Sequence, residues 1–361
     1  MGAWIAFLLL LIGFTVPAWA QVKDWEKEWN RILAAAKKEG KLTIAANPDP
    51  DVRRMIPEKF TARFGIPVEY IAGSSGQIRT RLQAERGAGL FTIDALLGGV
   101  DPVIYDDRML DPLRPALLLP EVLDLSKWDK GKLWFTDPPQ QYVLRILLNV
   151  VAVFDINTRH VKPEEVKSVK YFLDPKWKGK ISAHDPTIAG TGNSRAAYFY
   201  VLFGADFLKR LYVDQEVVVS RDRRQMADWL VRATHPVALG AQSQELERLA
   251  KEGFPVAQLN NIPDAPGYLS SGPGEIALMN KPPHPNAAKV FVNWMASREG
   301  VETLARSQLD NPLRTDIDKS FVQAETIPRP DVTYTVDSGD WKYQMETREK
   351  VRLLLKELLK R

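Results

Sequence analysis

The chain has 361 residues, 45% apolar and 26% charged, with 49 Lys and Arg against 45 Asp and Glu and a formal net charge of +4. That length suits two lobes of about 150 residues each, and the interspersed basic and acidic residues argue against a nucleic-acid footprint. The absence of cysteine excludes thiolate nucleophiles, zinc–thiolate sites and iron–sulfur clusters, and a chain of this size buries enough apolar surface to fold without disulfides.

Residues 1–20 carry no Asp, Glu, Lys or Arg, and the apolar run from Trp4 to Thr15 ends at Pro17-Ala18-Trp19-Ala20. This pattern predicts a signal peptide cleaved after Ala20 and a mature chain working in a periplasm. A retained amino-terminal anchor is the alternative. A helix is expected over 24–39, closed by Gly40. Strands follow at 41–47, 67–73 and 93–99, separated by a helix over 51–64 that stops at Gly65 and one opened by Ser74-Ser75-Gly76. Strands separated by helices imply βαβ units and a mostly parallel sheet.

From 133 to 157 the pattern changes to extended apolar runs, 141–148 and 150–154, suited to a segment crossing between lobes. The alternation then resumes. Strands are expected at 180–184, 216–219, 236–240 and 255–259, with helices over 193–203, 205–212, 223–231 and 243–251. The run 274–279 returns to the first lobe and precedes helices over 286–296 and 298–307. The tail 341–361 reads as a basic amphipathic helix docked on the body. The expected organisation is a leader (1–20), a first lobe (21–140), a second lobe with its crossing segment (141–273), and a return to the first lobe with closing helices (274–361).

Three groups of residues then carry a resemblance. Trp177-Lys-Gly-Lys-Ile181 leads into His184-Asp-Pro-Thr187 and Gly190-Thr-Gly-Asn193. Gly73-Ser-Ser-Gly76 is followed by Arg81-Leu82. Pro285 to Met295 precedes Ser297-Arg-Glu-Gly300. In this order the chain resembles the extracellular solute-binding proteins of ABC importers, a family that includes ferric-binding and sugar-phosphate-binding members. The resemblance implies a type II periplasmic-binding fold: α/β, two lobes each a mostly parallel sheet flanked by helices, with the ligand in the cleft between them.

Two loops that follow a strand and open a helix are suited to a ligand, because free N–H groups and the helix dipole favour anions or polar oxygens. The first holds Ser74, Ser75 and Gln77, the second Thr187, Gly190, Thr191, Gly192 and Asn193; ordinary helix capping is the alternative for both. Asn47 and Gly99, at strand ends of the first lobe, join the candidate set. Arg145 interrupts an apolar run, so it is either paired or facing a cleft, and Arg221 follows a strand end where a surface ion pair is equally expected. Ferric-binding relatives carry adjacent tyrosines after the strand at 236–240. Here Ala241, Gln242, Ser243 and Gln244 stand there, so Gln242 and Ser243 suggest a hydrogen-bonding wall for an organic ligand.

Gly190 to Arg195 begins like a dinucleotide fingerprint but has Arg at the sixth position. No cofactor and no metal are expected, and the Ser-Ser segment lacks a nucleophile elbow. The reading is a monomeric periplasmic capture protein, not an enzyme, that closes on a small organic anion and delivers it to an ABC permease of the inner membrane. The alternatives are a ligand-presenting subunit for a receptor kinase, ferric binding without the tyrosine pair, and an enzyme on the same fold.

Overall fold

The computed structural model describes residues 18–260 and 262–360, so residues 1–17 of the expected leader lie outside it. The first lobe runs through α1 (Ala18–Glu39), β1 (Leu42–Ala46), α2 (Pro50–Phe64), β2 (Val68–Ala72), α3 (Ser75–Gly87) and β3 (Ala95–Leu97). It continues through α4 (Pro102–Asp106), β4 (Leu110–Asp111), α5 (Pro120–Leu123), β5 (Trp134–Phe135) and β6 (Val143–Arg145). α2 starts where Asp49 accepts from the N–H groups of Asp51 and Val52, and stops at Gly65, whose φ of +71° suits a residue without Cβ.

β7 (Asn149–Val151) carries the chain out of the first lobe. The second is built from β8 (Phe154–Asn157), β9 (Ile181–His184), α6 (Thr191–Leu208), β10 (Val218–Ser220), α7 (Arg223–Val231), β11 (Val237–Leu239), α8 (Ser243–Lys251) and β12 (Val256–Leu259). β13 (Tyr268–Ser270) pairs antiparallel with β7 on the way back. β14 (Glu275–Met279) then enters the first sheet antiparallel to β3 and β6. α9 (Pro285–Ala296), α10 (Arg298–Gln308) and α11 (Arg348–Leu358) complete the chain.

The first sheet has the order β2-β1-β3-β14-β6-β5, with β4 on β14, and the second β10-β9-β11-β8-β12. β1 is parallel to β2 and β3, as β9 is to β10 and β11. Parallel neighbours share one carboxyl edge, so the loops after β1 and β3, and those after β9 and β11, gather where open α/β sheets hold ligands. Both faces of each sheet are covered. Phe60, Phe291 and Trp294 pack below the first sheet and Ile78, Leu82 and Ile104 above it. Phe154, Phe172 and Phe199 cover one face of the second, with Met226, Leu230 and Leu246 on the other. Burial on both faces explains why these strands are almost wholly apolar.

The break expected between helices 193–203 and 205–212 falls at Gly204, whose φ of +76° and ψ of −175° are not helical, so α6 is two helices meeting at a kink. Two local features differ from expectation. β6 stays in the first sheet through Arg145, paired with β14 and β5, so the crossing begins later than residue 141. The tail docks on the second lobe, where Val336, Tyr343, Val351 and Leu355 join the core around α6.

Candidate functional site

In the first lobe Asn47, Ser75 and Gly99 line one shallow cavity with Gly98, at the ends of β1 and β3. A Cβ on Gly98 (φ +142°) would stand 2.7 Å from Asn47 Oδ1, so glycine there lets the asparagine turn inward. Ser74 and Gln77 are occupied by each other's backbone. The Ser74 N–H donates to Gln77 Oε1 at 2.9 Å, and the Gln77 N–H to Ser74 Oγ at 3.4 Å. This capping box fixes where α3 begins.

In the second lobe, the end of β9 and the loop into α6 wrap around His184 and Asp185. The Gly192 N–H donates to His184 Nδ1 at 3.1 Å. Burial, with Arg223 next, pushes His184 down to about 4. The ring is therefore neutral near pH 7, and because Nδ1 accepts, the proton sits on Nε2. Thr187 donates from both N–H and Oγ1 to Asp185 Oδ1, and Arg221 donates from Nε to Asp185 Oδ2 at 3.0 Å. Asp185 is fully buried while the Arg221 side chain is 72% exposed, so Arg221 covers a buried carboxylate from the solvent side.

The remaining candidates fall into three groups. Gly190 (φ +136°) and Thr191 sit at the start of α6, with Thr191 Cγ2 near the Cβ position of Gly240. Asn193 is buried and holds the tail: its Nδ2 donates to the Arg348 carbonyl at 3.0 Å, and its Oδ1 accepts from Arg348 Nε at 3.0 Å. Gln242 accepts from Arg224 Nε, and Ser243 from Gln258 Nε2, both at 3.3 Å.

Arg145 takes the paired alternative and not the cleft-facing one. It is 2% exposed, its two terminal nitrogens donate to Asp337 at 2.7 and 2.8 Å, and Nε donates to Ser271 Oγ. With its donors so engaged it is a structural ion pair between the first sheet and the tail.

Two cations escaped the sequence reading. Arg195, in α6, is 1% exposed, and its Nε and Nη1 have no hydrogen-bond partner among the described residues. Arg223 donates from Nε to the Gly240 carbonyl and from Nη2 to the Ala241 carbonyl, each at 2.9 Å. Burial, with the charge of Arg195 adding, pushes Arg223 down to about 10, which still leaves it charged. Asp155, buried opposite, accepts the N–H groups of Gly240 and Ala241.

The two lobes meet across the cleft. A Cβ on Gly76 would lie 3.8 Å from Ala189 Cβ, and Gln244 of α8 donates to Gln308 of α10 at 3.4 Å. Behind this contact, Asp310 lies against Asn149 and Gly272. Burial pushes its carboxyl up to about 7, the charges of Glu247 and Asp49 push the same way, and a hydrogen bond from Asn149 opposes them. The folded chain thus keeps a proton that the unfolded chain releases at a pH of about 4, so stability is lost as pH rises from about 4 to about 7. Asp310→Asn removes that loss. Melts of the two proteins are expected to diverge across this window, by at most about 1.4 kcal/mol per pH unit, with the variant more stable at the alkaline end. Parallel melting curves at every pH would refute the shift.

Residues 55–328 match the family described as bacterial extracellular solute-binding protein. The chain is 25% identical over 301 residues to an uncharacterized protein of Haemophilus influenzae, covering 78% of this chain and 79% of that one. Among solved structures it is similar to the periplasmic binding protein AfuA of Actinobacillus pleuropneumoniae with fructose-6-phosphate bound, at a TM-score of 0.68 and 19% identity, covering 89% of this chain and 99% of AfuA. Iron-bound HitA of Pseudomonas aeruginosa gives 0.64 at 17% identity, over 88% and 99%. At such identities these likenesses establish the shared two-lobed fold, and with the match over residues 55–328 the chain belongs to the bacterial extracellular solute-binding family.

Proposed function

We propose that this chain is a periplasmic capture protein that closes its two lobes around a small organic anion and presents it, as a monomer, to an ABC permease. The observation that carries the reading is the meeting of the α3 and α6 loops at Gly76 and Ala189, with Asn47, Ser75 and Gly99 on one side and Thr191 and the arginine cluster on the other. The paired crossing strands β7 and β13 are suited to bend as a hinge. A ligand drives closure only by binding the closed form better than the open one.

An organic anion is favoured over ferric ion on electrostatic grounds. Arg195 and Arg223 would repel a trivalent cation, and no adjacent tyrosines follow β11, where Ala241 to Gln244 stand. The test is a thermal-shift panel of carboxylates, sugar phosphates, polyamines, neutral sugars and ferric salts, followed by small-angle scattering with whatever stabilises the protein. The expected result is stabilisation by an anion with a smaller radius of gyration. A tight ligand that leaves the radius unchanged would refute closure, and stabilisation by ferric salts alone would refute the organic cargo.

A further inference from the structure

Arg195 is a buried cation with three N–H donors, on Nε and Nη1, that meet no acceptor among the described residues. Such a group is strongly unfavourable unless something supplies oxygen atoms to it. Its direction can be read from Gly240. The Cβ position of that glycine (φ +97°) lies 3.1 Å from Arg195 Nη1, 2.9 Å from Thr191 Cγ2 and 3.5 Å from His184 Cβ. The guanidinium therefore reaches back past the first turn of α6 to the strand ends of β9 and β11, where any side chain larger than hydrogen at position 240 would crowd it.

The surroundings are cationic. Arg223 lies behind on the Gly240 and Ala241 carbonyls, Arg348 bonds to Asn193 and the Gly190 carbonyl, and Arg221 lies beyond Asp185. These four arginines outnumber the neighbouring carboxylates, Asp155 and Asp185, by two. Both carboxylates are already held: Asp155 by backbone N–H groups and Gln258, Asp185 by Thr187 and Arg221. The amino end of the α6 dipole and His184 Nε2–H add donor character of the same sign.

We propose that this arginine cluster is an oxyanion subsite for the doubly charged phosphoryl group of a small solute, with Arg195 its principal contact. The excess of two positive charges matches a dianion better than a carboxylate, and guanidinium forks suit phosphate oxygens. The inference rests on the capture reading above and specifies the cargo.

The test is calorimetric titration of the full chain with inorganic phosphate, fructose 6-phosphate, sulfate and acetate at about pH 5 and pH 8. Burial holds His184 down to about 4, below that range, whereas a phosphomonoester gains its second charge near pH 6. Fructose 6-phosphate is expected to gain affinity relative to sulfate, which is a dianion at both values, as pH rises. Arg195→Met should weaken it on the order of 100-fold, yet melt no lower than the wild type without ligand, because a buried unpaired charge has gone. Arg195→Lys should fall between, and Arg232→Gln, an exposed charge, should bind as the wild type.

Failure of every phosphoryl compound to bind the wild type overturns the inference without any variant, and so does undiminished binding by Arg195→Met. If a neutral sugar or a carboxylate then compacts the protein, capture by closure stands and only the phosphoryl assignment falls. If no solute compacts it, both fall.

Discussion

Gly192→Ala is expected to cost roughly 3 kcal/mol or more of stability and to abolish whatever ligand response the chain has. The added Cβ would lie 2.0 Å from the His184 carbonyl oxygen and 2.8 Å from that of Asp185. Both obstacles are backbone, so neither can turn aside as a side-chain tip could. Relief requires the first turn of α6 to move away from β9, which breaks the Gly192 N–H bond to His184 Nδ1 and displaces Thr191, Asn193 and Arg195 with the helix. Gly76→Ala is the matching control. It places a methyl in ordinary contact with Ala189, 3.8 Å away, inside a helix that favours alanine over glycine. Denaturant unfolding followed by tryptophan fluorescence should show Gly192→Ala far less stable and Gly76→Ala no worse than the parent. Equal midpoints for Gly192→Ala and the parent would refute the packing.

The distinction between these glycines marks how far the sequence could be read. Local signals carried the architecture: Gly65 ends α2 in a left-handed conformation, and α7 and α8 fall at 223–231 and 243–251 as the apolar spacing predicts. The site loops were legible as places but not as contacts. Ser74, Gln77 and Thr187 could cap or bind, and the fold commits their oxygens to Gln77, Ser74 and Asp185.

Arg195 left a usable trace. It heads the unbroken apolar run Ala196 to Phe203, so a helix there offers little solvent face on which its charge could rest, and seven of the eight residues from Gly192 to Phe199 are indeed buried. Read as a failed nucleotide fingerprint, the residue lost that meaning. Arg145 could not be resolved at all, because its partner Asp337 lies 192 positions further on and no periodicity links a strand in the first sheet to a loop near the carboxyl terminus.

Asp337→Ala is accordingly expected to destabilise the chain by about 3 kcal/mol, the low end of the range for breaking a buried ion pair, because Arg145 is buried while the Asp337 side chain is 32% exposed. Burial works against the charge of Arg145, and the two-point bond to Asp337, with the charge of Glu275 adding a smaller part, outweighs it. The chain of contacts continues through Ser271, which donates to Glu275 Oε1 at 2.7 Å, to the Val100 N–H on Glu275 Oε2. Glu275 is itself raised by burial, so it is a poor substitute counter-ion. Gly339 rests directly on the guanidinium, and two residues on the Trp341 ring meets that of Tyr105 edge-on at 5.2 Å. The segment 337–341 thereby straps the tail, which packs on the second lobe, to the first. Arg145→Met together with Asp337→Ala should recover most of the loss, because no uncompensated charge remains. Hydrogen exchange separates this account from a general loss of packing. Asp337→Ala should accelerate exchange in 337–347 more than in α9, whose Phe291 and Trp294 lie in the first core. A double variant no more stable than Asp337→Ala would show that the cost lies in something other than the stranded charge.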